Sequence, residues 1–241
     1  MKRLAIIGGT GLEQMAGVES VQRSRVETPY GTPSSELMRV TLNGRELIFL
    51  SRHGEDHSIP PHRVNYRANL WALNELGVDS IVAVAAVGGI TERMGPGHIA
   101  IPDQIIDYTW GRDHTFHDGP EVEHIDFSWP YCGELRGELL DAAASSSVDV
   151  VDGGTYGATQ GPRLESAAEI QRMEQDGCDI VGMTGMPEAS LARELGICYA
   201  CCAVSANWAA GKSSQEITMD EITQNLKTGM DRVGAVLQAL L

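Results

Sequence analysis

Positive charge and aromatic rings are both scarce in this sequence. Its 241 residues include 18 Lys and Arg against 33 Asp and Glu, which gives a formal net charge of −15, and aromatic residues make up only 5%. A negative field repels phosphodiester backbones and anionic lipid headgroups. We therefore expect neither a nucleic-acid partner nor a membrane partner, and an anionic substrate would require a local cationic pocket.

Long hydrophobic runs are missing as well. No stretch approaches the roughly 20 apolar residues of a membrane-spanning helix, and the short apolar N-terminal segment resembles a first strand more than a secretory signal. The five cysteines, at positions 132, 178, 198, 201 and 202, form no double Cys-x-x-Cys pattern, and three of them lie in one apolar run. Buried free thiols are therefore the expected state, which fits a reducing, cytoplasmic location.

What the sequence does contain is an alternation of short apolar segments and segments with helical periodicity. Residues 80–87 are almost all apolar, as in a strand buried on both faces of a sheet. Residues 64–76 have apolar side chains at helical spacing before Gly77, and residues 28–33 form a turn between two strands. Further strands are predicted at 4–7, 47–50, 99–106, 179–183 and 197–205, and further helices at 133–144, 164–175, 187–195 and 219–241. Because no repeat or linker interrupts this order, residues 1–241 are predicted to form one α/β domain with a mixed sheet flanked by helices.

A glycine-rich loop, Gly8-Gly9-Thr10-Gly11, follows the first predicted strand. Glycines let main-chain N–H groups turn toward an oxyanion, and the hydroxyl of Thr10 adds a donor. Gln14 occupies the position where a dinucleotide fingerprint would place its next glycine. The pattern therefore favours a phosphate loop over a dinucleotide site, with a plain tight turn as the alternative.

Arg52 and His53 come directly after another predicted strand. The guanidinium of Arg52 suits a phosphate, and strand ends face the crevice in which open α/β sheets bind ligands. An ordinary exposed loop is the competing interpretation. His57 lies four residues after His53, but no carboxylate accompanies the pair, so we expect no metal site.

Two later strand ends also carry polar side chains. Thr184 follows Met183 at a strand-to-helix junction, where it could donate to an oxyanion while Met183 packs under a sugar. Asn207 ends an apolar strand, and its amide can both donate and accept, which suits the mixed edge of a 6-oxopurine. Core packing for Met183 and a simple turn for Asn207 are the alternatives.

Together these segments resemble the methylthioadenosine phosphorylase and purine nucleoside phosphorylase family. The similarity extends over essentially the whole chain and depends on the order of many short matches. These matches are Ile6-Ile7-Gly8-Gly9-Thr10-Gly11-Leu12, Arg52-His53-Gly54, several positions in 61–71, Val87-Gly88-Gly89, Asp118-Gly119, Gly161-Pro162-Arg163, the 183–188 segment and Ile197-Cys198-Tyr199-Ala200. The resemblance implies a single α/β domain with a distorted mixed sheet, and a homotrimer.

The resemblance also implies a site for inorganic phosphate as co-substrate, with no metal and no organic cofactor. That phosphate site would comprise Thr10, Arg52, His53, the backbone near Ala86, and Thr184, and Met183 would contact the sugar. Two positions depart from the family pattern. Leu164 replaces an aromatic residue that stacks on the base, and Ala85 replaces a threonine beside the phosphate.

The resemblance locates the base pocket at Asn207. Relatives specific for methylthioadenosine have an aspartate there and a second aspartate two residues later, whereas this chain has Asn207 and Ala209. Because an amide can donate to O6 and pair with N7–H, a 6-oxopurine is favoured over adenine.

The resemblance also locates the pocket for the 5′ end of the sugar. Met219 replaces a histidine that bonds a 5′-hydroxyl in nucleoside-specific relatives, and Ile222 lies one turn later. His124 resembles a residue that relatives contribute across the subunit interface. An apolar pocket beside a 6-oxopurine site predicts 5′-methylthioinosine as the substrate, with inosine, guanosine or methylthioadenosine as alternatives.

The predicted reaction is attack of phosphate on C1′ as the bond to N9 breaks, with Arg52 and His53 holding the phosphate and Asn207 stabilising the departing purine. Three other functions remain open at this point. They are a nucleosidase that uses water, a dinucleotide-dependent enzyme, and a purine-binding regulator without activity.

Overall fold

The computed structural model describes residues 3–9, 18–214 and 216–241. Thr10 and most of the predicted phosphate loop lie outside the described residues. The described strands are Leu4–Gly8 (β1), Val18–Ser24 (β2), Leu37–Leu42 (β3), Arg45–Ser51 (β4), Ser80–Gly89 (β5), Ile99–Ile101 (β6), Gln104–Asp107 (β7), Val151–Asp152 (β8), Thr155–Ala158 (β9), Ile180–Gly182 (β10) and Cys198–Trp208 (β11). The described α-helices are Tyr66–Glu75 (α1), Gly133–Ser145 (α2), Ala167–Gln175 (α3), Glu188–Glu194 (α4) and Met219–Leu240 (α5).

The described strands form one mixed sheet, as predicted. Its main path runs β2-β3-β4-β1-β5-β10-β9-β7. β1 pairs in parallel with β4 and β5, β5 pairs in parallel with β11, and β10 is antiparallel to β5. The sheet branches at β5 because Gly88 and Gly89 pair with both β10 and β11. A Cβ on Gly89 would lie 1.9 Å from the carbonyl oxygen of Met94, so only glycine fits this branch point.

Helices cover both faces of the sheet, so the central strands are apolar on both sides. Alternate residues of one strand enter different cores. Ile7 packs in the cluster that contains Leu73 of α1, and Ile6 packs in the cluster that contains Leu139 of α2 and Val236 of α5. The predicted fold class, an α/β domain with a mixed central sheet, is confirmed.

Most predicted elements are present, but the structure differs from the prediction in three respects. The predicted strand at 99–106 is two strands, because Pro102 has no N–H to donate and the chain changes partners there. The predicted helix at 164–175 begins only at Ala167, after a capping box between Ser166 and Glu169. The short strands β8 and β9 were not predicted, since two to four residues carry little periodicity.

The prediction of free thiols was wrong for two of the five cysteines. Cys132, just before α2, and Cys198, the first residue of β11, form a disulfide across 66 residues of sequence. Cys178, Cys201 and Cys202 are free and buried, as predicted. Cys132 also donates its N–H to the carbonyl of Tyr199 at 2.8 Å, and this contact fixes the approach of the loop to the strand. The pairing depends on tertiary structure, so sequence spacing gives no sign of it.

No helix in the described ranges combines the length and the apolar character that crossing a bilayer requires.

Candidate active site

A cavity of about 740 Å³ opens where the central parallel strands end. Residues from the ends of β4, β5, β10 and β11 line it, together with the segment before α3 and one face of α5. This is the edge at which open α/β sheets bind ligands. Ala86 is an exposed residue in an otherwise buried stretch of β5, and its exposed surface faces this cavity.

Arg52 lies in the wall of the cavity and is held by a buried carboxylate. It follows β4, and its N–H bonds to the carbonyl of Gly8 at 2.9 Å. Its Nε and Nη2 donate to the two carboxylate oxygens of Glu188 at 2.7 and 2.8 Å, and Nη1 donates to the carbonyl of Val84 at 3.0 Å. Tyr199 donates its hydroxyl to the same carboxylate at 2.9 Å.

This pairing fixes both the charge and the direction of Arg52. Burial alone would lower the pKa of Arg52, but the charge and hydrogen bonds of Glu188 raise it above the ordinary arginine value. An arginine has five N–H groups, and the bonds to Glu188 and Val84 use three of them. One N–H on each terminal nitrogen is therefore left for a ligand in the cavity.

His53, next along the chain, has a defined tautomer. Its Nδ1 lies 2.8 Å from the carbonyl oxygen of Ile59. Because a carbonyl can only accept, Nδ1 carries the hydrogen. Burial, together with the neighbouring charge of Arg52, lowers the pKa of His53 to about 4. Near neutral pH the ring is therefore uncharged, and Nε2 offers a lone pair.

Asn207 and Glu165 also line the cavity. A register shift between Ser205 and Asn207 on β11 turns the buried Asn207 side chain at this strand end. Its Nδ2 donates to the carbonyl of Trp208 at 2.7 Å, which leaves one N–H and the Oδ1 atom for a ligand. The carboxylate of Glu165 accepts from the hydroxyl of Thr159 at 2.6 Å and keeps its second oxygen for other partners.

Part of the cavity wall is apolar. Met219 and Ile222 lie on the first turns of α5 and line the cavity, although 71% of Met219 is exposed. Met183 and Leu164 line it from the ends of two other segments. A ligand that covered Met219 would remove apolar surface from water, a favourable change of about 25 cal/mol for each Å².

The structure brings most of the predicted site residues together. Those that line the cavity are Arg52, His53, Ala86, Leu164, Met183, Thr184, Asn207, Met219 and Ile222. His124 is exposed and does not line the cavity of its own chain. Thr10 lies outside the described residues. Within the described ranges, no group of three or more His, Cys, Asp or Glu side chains could hold a metal ion.

The family model for the phosphorylase superfamily matches residues 3–241. The chain belongs to this superfamily. The predicted resemblance is therefore confirmed, and a dinucleotide-dependent enzyme is no longer a competing interpretation of the glycine-rich loop.

Several named relatives are similar to this superfamily member over nearly its full length. A probable S-methyl-5′-thioinosine phosphorylase of Pseudomonas syringae pv. tomato is 56% identical over 98% of this chain and 97% of the relative. A 6-oxopurine nucleoside phosphorylase of Pyrococcus furiosus is 45% identical over 100% of this chain and 92% of the relative. Among solved structures, a methylthioadenosine phosphorylase from an Antarctic soil metagenomic library is 38% identical with a TM-score of 0.94, covering 99% of this chain and 85% of that one.

Two charged residues of this phosphorylase site were not predicted from the sequence. Glu165 follows Leu164 and Glu188 ends the 183–188 segment, but neither was assigned a role from the sequence. The structure buries Glu188 fully at the first position of α4, although glutamate is rarely fully buried. Its partner Arg52 lies 136 residues away, and no spacing in the sequence links the two.

Proposed function

We propose that this protein catalyses the phosphorolysis of 5′-methylthioinosine to hypoxanthine and 5-methylthioribose 1-phosphate. One observation carries the proposal. A single cavity joins a fixed arginine, an amide and carboxylate pair, and an apolar wall. These features fit a phosphate, a 6-oxopurine and a methylthio group, in that order. The relatives named as methylthioinosine and 6-oxopurine nucleoside phosphorylases support the same reaction class.

The phosphate is proposed to bind between Arg52, His53, Thr184 and the backbone near Ala86. Arg52 supplies charge-assisted hydrogen bonds from its two remaining N–H groups. His53 accepts the hydrogen of a monohydrogen phosphate ion at Nε2, since its other nitrogen already donates to Ile59. We also propose Thr10 as a donor, in keeping with the family resemblance.

The base is proposed to bind between Asn207 and Glu165. A 6-oxopurine carries a hydrogen on N1, which the second oxygen of Glu165 can accept, whereas N1 of adenine is itself an acceptor and would face a carboxylate unpaired. Asn207 can donate to O6 and accept from N7–H. Both contacts favour hypoxanthine over adenine, because an unpaired buried polar group is costly.

The sugar is proposed to lie over Met183 with its 5′ end against Met219 and Ile222. A methylthio group would be stabilised there, while a 5′-hydroxyl would lose its hydrogen bonds to water. Inosine or guanosine is the second candidate substrate, favoured by the Pyrococcus furiosus relative. Methylthioadenosine, the substrate in the names of the structural neighbours, is the third.

The reaction is a substitution at C1′. A phosphate oxygen bonds to C1′ as the C1′–N9 bond breaks, and the bonding electron pair leaves with the purine. The purine takes a proton at N7 from solvent, and the hydrogen of the monohydrogen phosphate is released to solvent from the sugar 1-phosphate, so the protons balance. Phosphate stabilises the cationic sugar of the transition state, and Asn207 stabilises the purine. Neither a metal ion nor an organic cofactor takes part in this scheme.

The assembly is proposed to be a homotrimer, as the family resemblance implies. Trp110, Val122 and Trp129 are exposed, and all three belong to the segment between β7 and α2 that also carries His124. An interface there would cover these apolar side chains and bring His124 to a neighbouring cavity. A cytoplasmic location is also proposed, on the buried free thiols of Cys178, Cys201 and Cys202, whereas Cys132 and Cys198 form a disulfide.

Product analysis tests the reaction class. We expect incubation with 5′-methylthioinosine and phosphate to give hypoxanthine and an equal amount of a sugar 1-phosphate, visible as a new phosphorus resonance. With water in place of phosphate, base release should stop. Formation of free methylthioribose, at the same rate with or without phosphate, would instead identify a nucleosidase.

A further inference from the structure

Arg112 is a buried cation that touches no carboxylate in the described part of the chain. It lies in the segment between β7 and α2 and does not line the cavity. Its hydrogen bonds all go to neutral oxygen atoms, and its guanidinium lies over the ring of Tyr66 at 5.3 Å. Burying a charge without an opposite charge is costly, so a fold that needed only packing would be served better by an apolar residue.

The carbonyl groups that Arg112 binds belong to two separate segments of the cavity wall. Nη1 donates to the carbonyl oxygens of Met183 and Met186 at 3.0 and 2.5 Å. Nη2 donates to the carbonyl oxygens of Thr159 and Gln160 at 3.1 and 2.9 Å. One rigid, planar group therefore spans the two segments and fixes the distance between them.

Each of these segments carries side chains of the proposed site. Met183 and Thr184, on the first segment, line the sugar and phosphate part of the cavity. The second segment leads to Glu165. Thr159 links it to Arg112, because the carbonyl of Thr159 accepts from Arg112 and the hydroxyl of Thr159 donates to the carboxylate of Glu165. The N–H of Thr159 also bonds to the carbonyl of Gly182 at 2.8 Å, directly before Met183.

We propose that Arg112 is a positioning residue that sets the base-binding wall, which ends at Glu165, against the sugar- and phosphate-binding wall at Met183 and Thr184. This inference rests on the proposed function. A shift of the two walls relative to each other would leave both intact. It would, however, move the base out of line with the phosphate and C1′, the alignment in which the C1′–N9 bond breaks. Errors of about 1 Å in such an arrangement cost roughly a hundredfold in rate.

Arg112→Lys tests the role. A lysine keeps the charge and much of the length, but its single nitrogen cannot bridge two segments as a planar guanidinium does. We expect kcat/KM for methylthioinosine to fall roughly tenfold to a hundredfold, mostly through kcat. We also expect the preference for methylthioinosine over methylthioadenosine to fall about tenfold, the size of one misplaced hydrogen bond.

Arg136→Lys is the matched control. Arg136 also donates to two main-chain carbonyl oxygens, those of Ile101 and Pro102, at 3.0 Å each, but neither of these residues lines the cavity. It should change thermal stability without changing the ratio between the two nucleosides. An Arg112→Lys protein that matches this control, or that loses activity on both nucleosides equally, would overturn the positioning role.

A second variant covers the case in which Arg112→Lys fails to fold. Gln160→Ala removes the side-chain oxygen that accepts from Nε of Arg112 at 3.1 Å and leaves the arginine in place. This variant should lose less kcat/KM for methylthioinosine than Arg112→Lys but show the same fall in the preference for methylthioinosine over methylthioadenosine. An unchanged ratio of kcat/KM between the two nucleosides would contradict the proposal. A wild-type protein that cleaves neither nucleoside would contradict the proposed function, whereas an active wild type with an unchanged ratio in the variants contradicts only the role of Arg112.

Discussion

Replacing Asn207 with alanine is expected to lower kcat by roughly a hundred- to a thousandfold, which corresponds to about 2.7–4 kcal/mol of transition-state stabilisation. The physical reason is that the purine gathers negative charge as the bond to C1′ breaks. Asn207 has one N–H and one oxygen free for the base, since its other N–H is bound to the carbonyl of Trp208. Steady-state rates at saturating phosphate measure the effect.

Asn225→Ala is the control for this loss. Asn225 lies on α5, donates to the carbonyl of Ala206 at 2.8 Å and does not line the cavity. The substitution therefore removes an amide hydrogen bond close to Asn207 without changing the cavity wall. It should leave kcat near the wild-type value. Asn207→Asp should move the base preference toward adenine, because a carboxylate can accept from a 6-amino group. An Asn207→Ala protein with near wild-type turnover, or an Asn207→Asp protein with an unchanged base ranking, would remove Asn207 from the mechanism.

Replacing Glu188 with leucine is expected to reduce the free energy of unfolding by about 3–5 kcal/mol and to abolish phosphate-dependent activity. Glu188 is fully buried and binds both Arg52 and Tyr199. Its loss leaves the guanidinium of Arg52 buried without an opposite charge, which is the costly half of a broken ion pair. Denaturant unfolding and a phosphate titration measure the two effects.

The double variant Arg52→Met with Glu188→Leu separates stability from function. Replacing both charges with apolar side chains often restores stability, so the double variant should recover much of the loss while staying inactive. The pair of Arg136 and Asp152, at 2.6 Å and with an exposed carboxylate, offers the contrast. Asp152→Asn should lower the free energy of unfolding by no more than about 1 kcal/mol and leave activity intact. A double variant as unstable as the single one would contradict the account of the pair.

The sequence predicted the parts of this site that strand ends determine. Arg52, Thr184 and Asn207 each follow an apolar run, and strand ends of a parallel sheet meet at one edge. Glu188 and Arg112 act through partners that are distant in sequence, and Glu165 joins the site only because the fold brings the segment before α3 to these strand ends. Glu188 meets Arg52 across 136 residues, and Arg112 meets Met183 across 71 residues. No periodicity or spacing connects such positions, so only the three-dimensional structure reveals them.

The secondary-structure elements also divide into those that local sequence predicts and features that depend on tertiary contacts. The central strand predicted at 80–87 is present within Ser80–Gly89, because a fully apolar run has few alternatives to a buried strand. Its branch point at Gly88 and Gly89 was not predicted, since it depends on pairing with β10 and β11, which are distant in sequence. The Cys132–Cys198 disulfide was missed for the same reason.

The most direct test of the central claim is a comparison of kcat/KM for base release from methylthioinosine, inosine and methylthioadenosine, each with and without phosphate. The structure predicts phosphate-dependent release that is fastest from methylthioinosine, because Asn207 and Glu165 select the base and Met219 and Ile222 select the 5′ group. Fastest release from methylthioadenosine would contradict the base pocket. Release that is indifferent to phosphate would contradict the phosphate site itself.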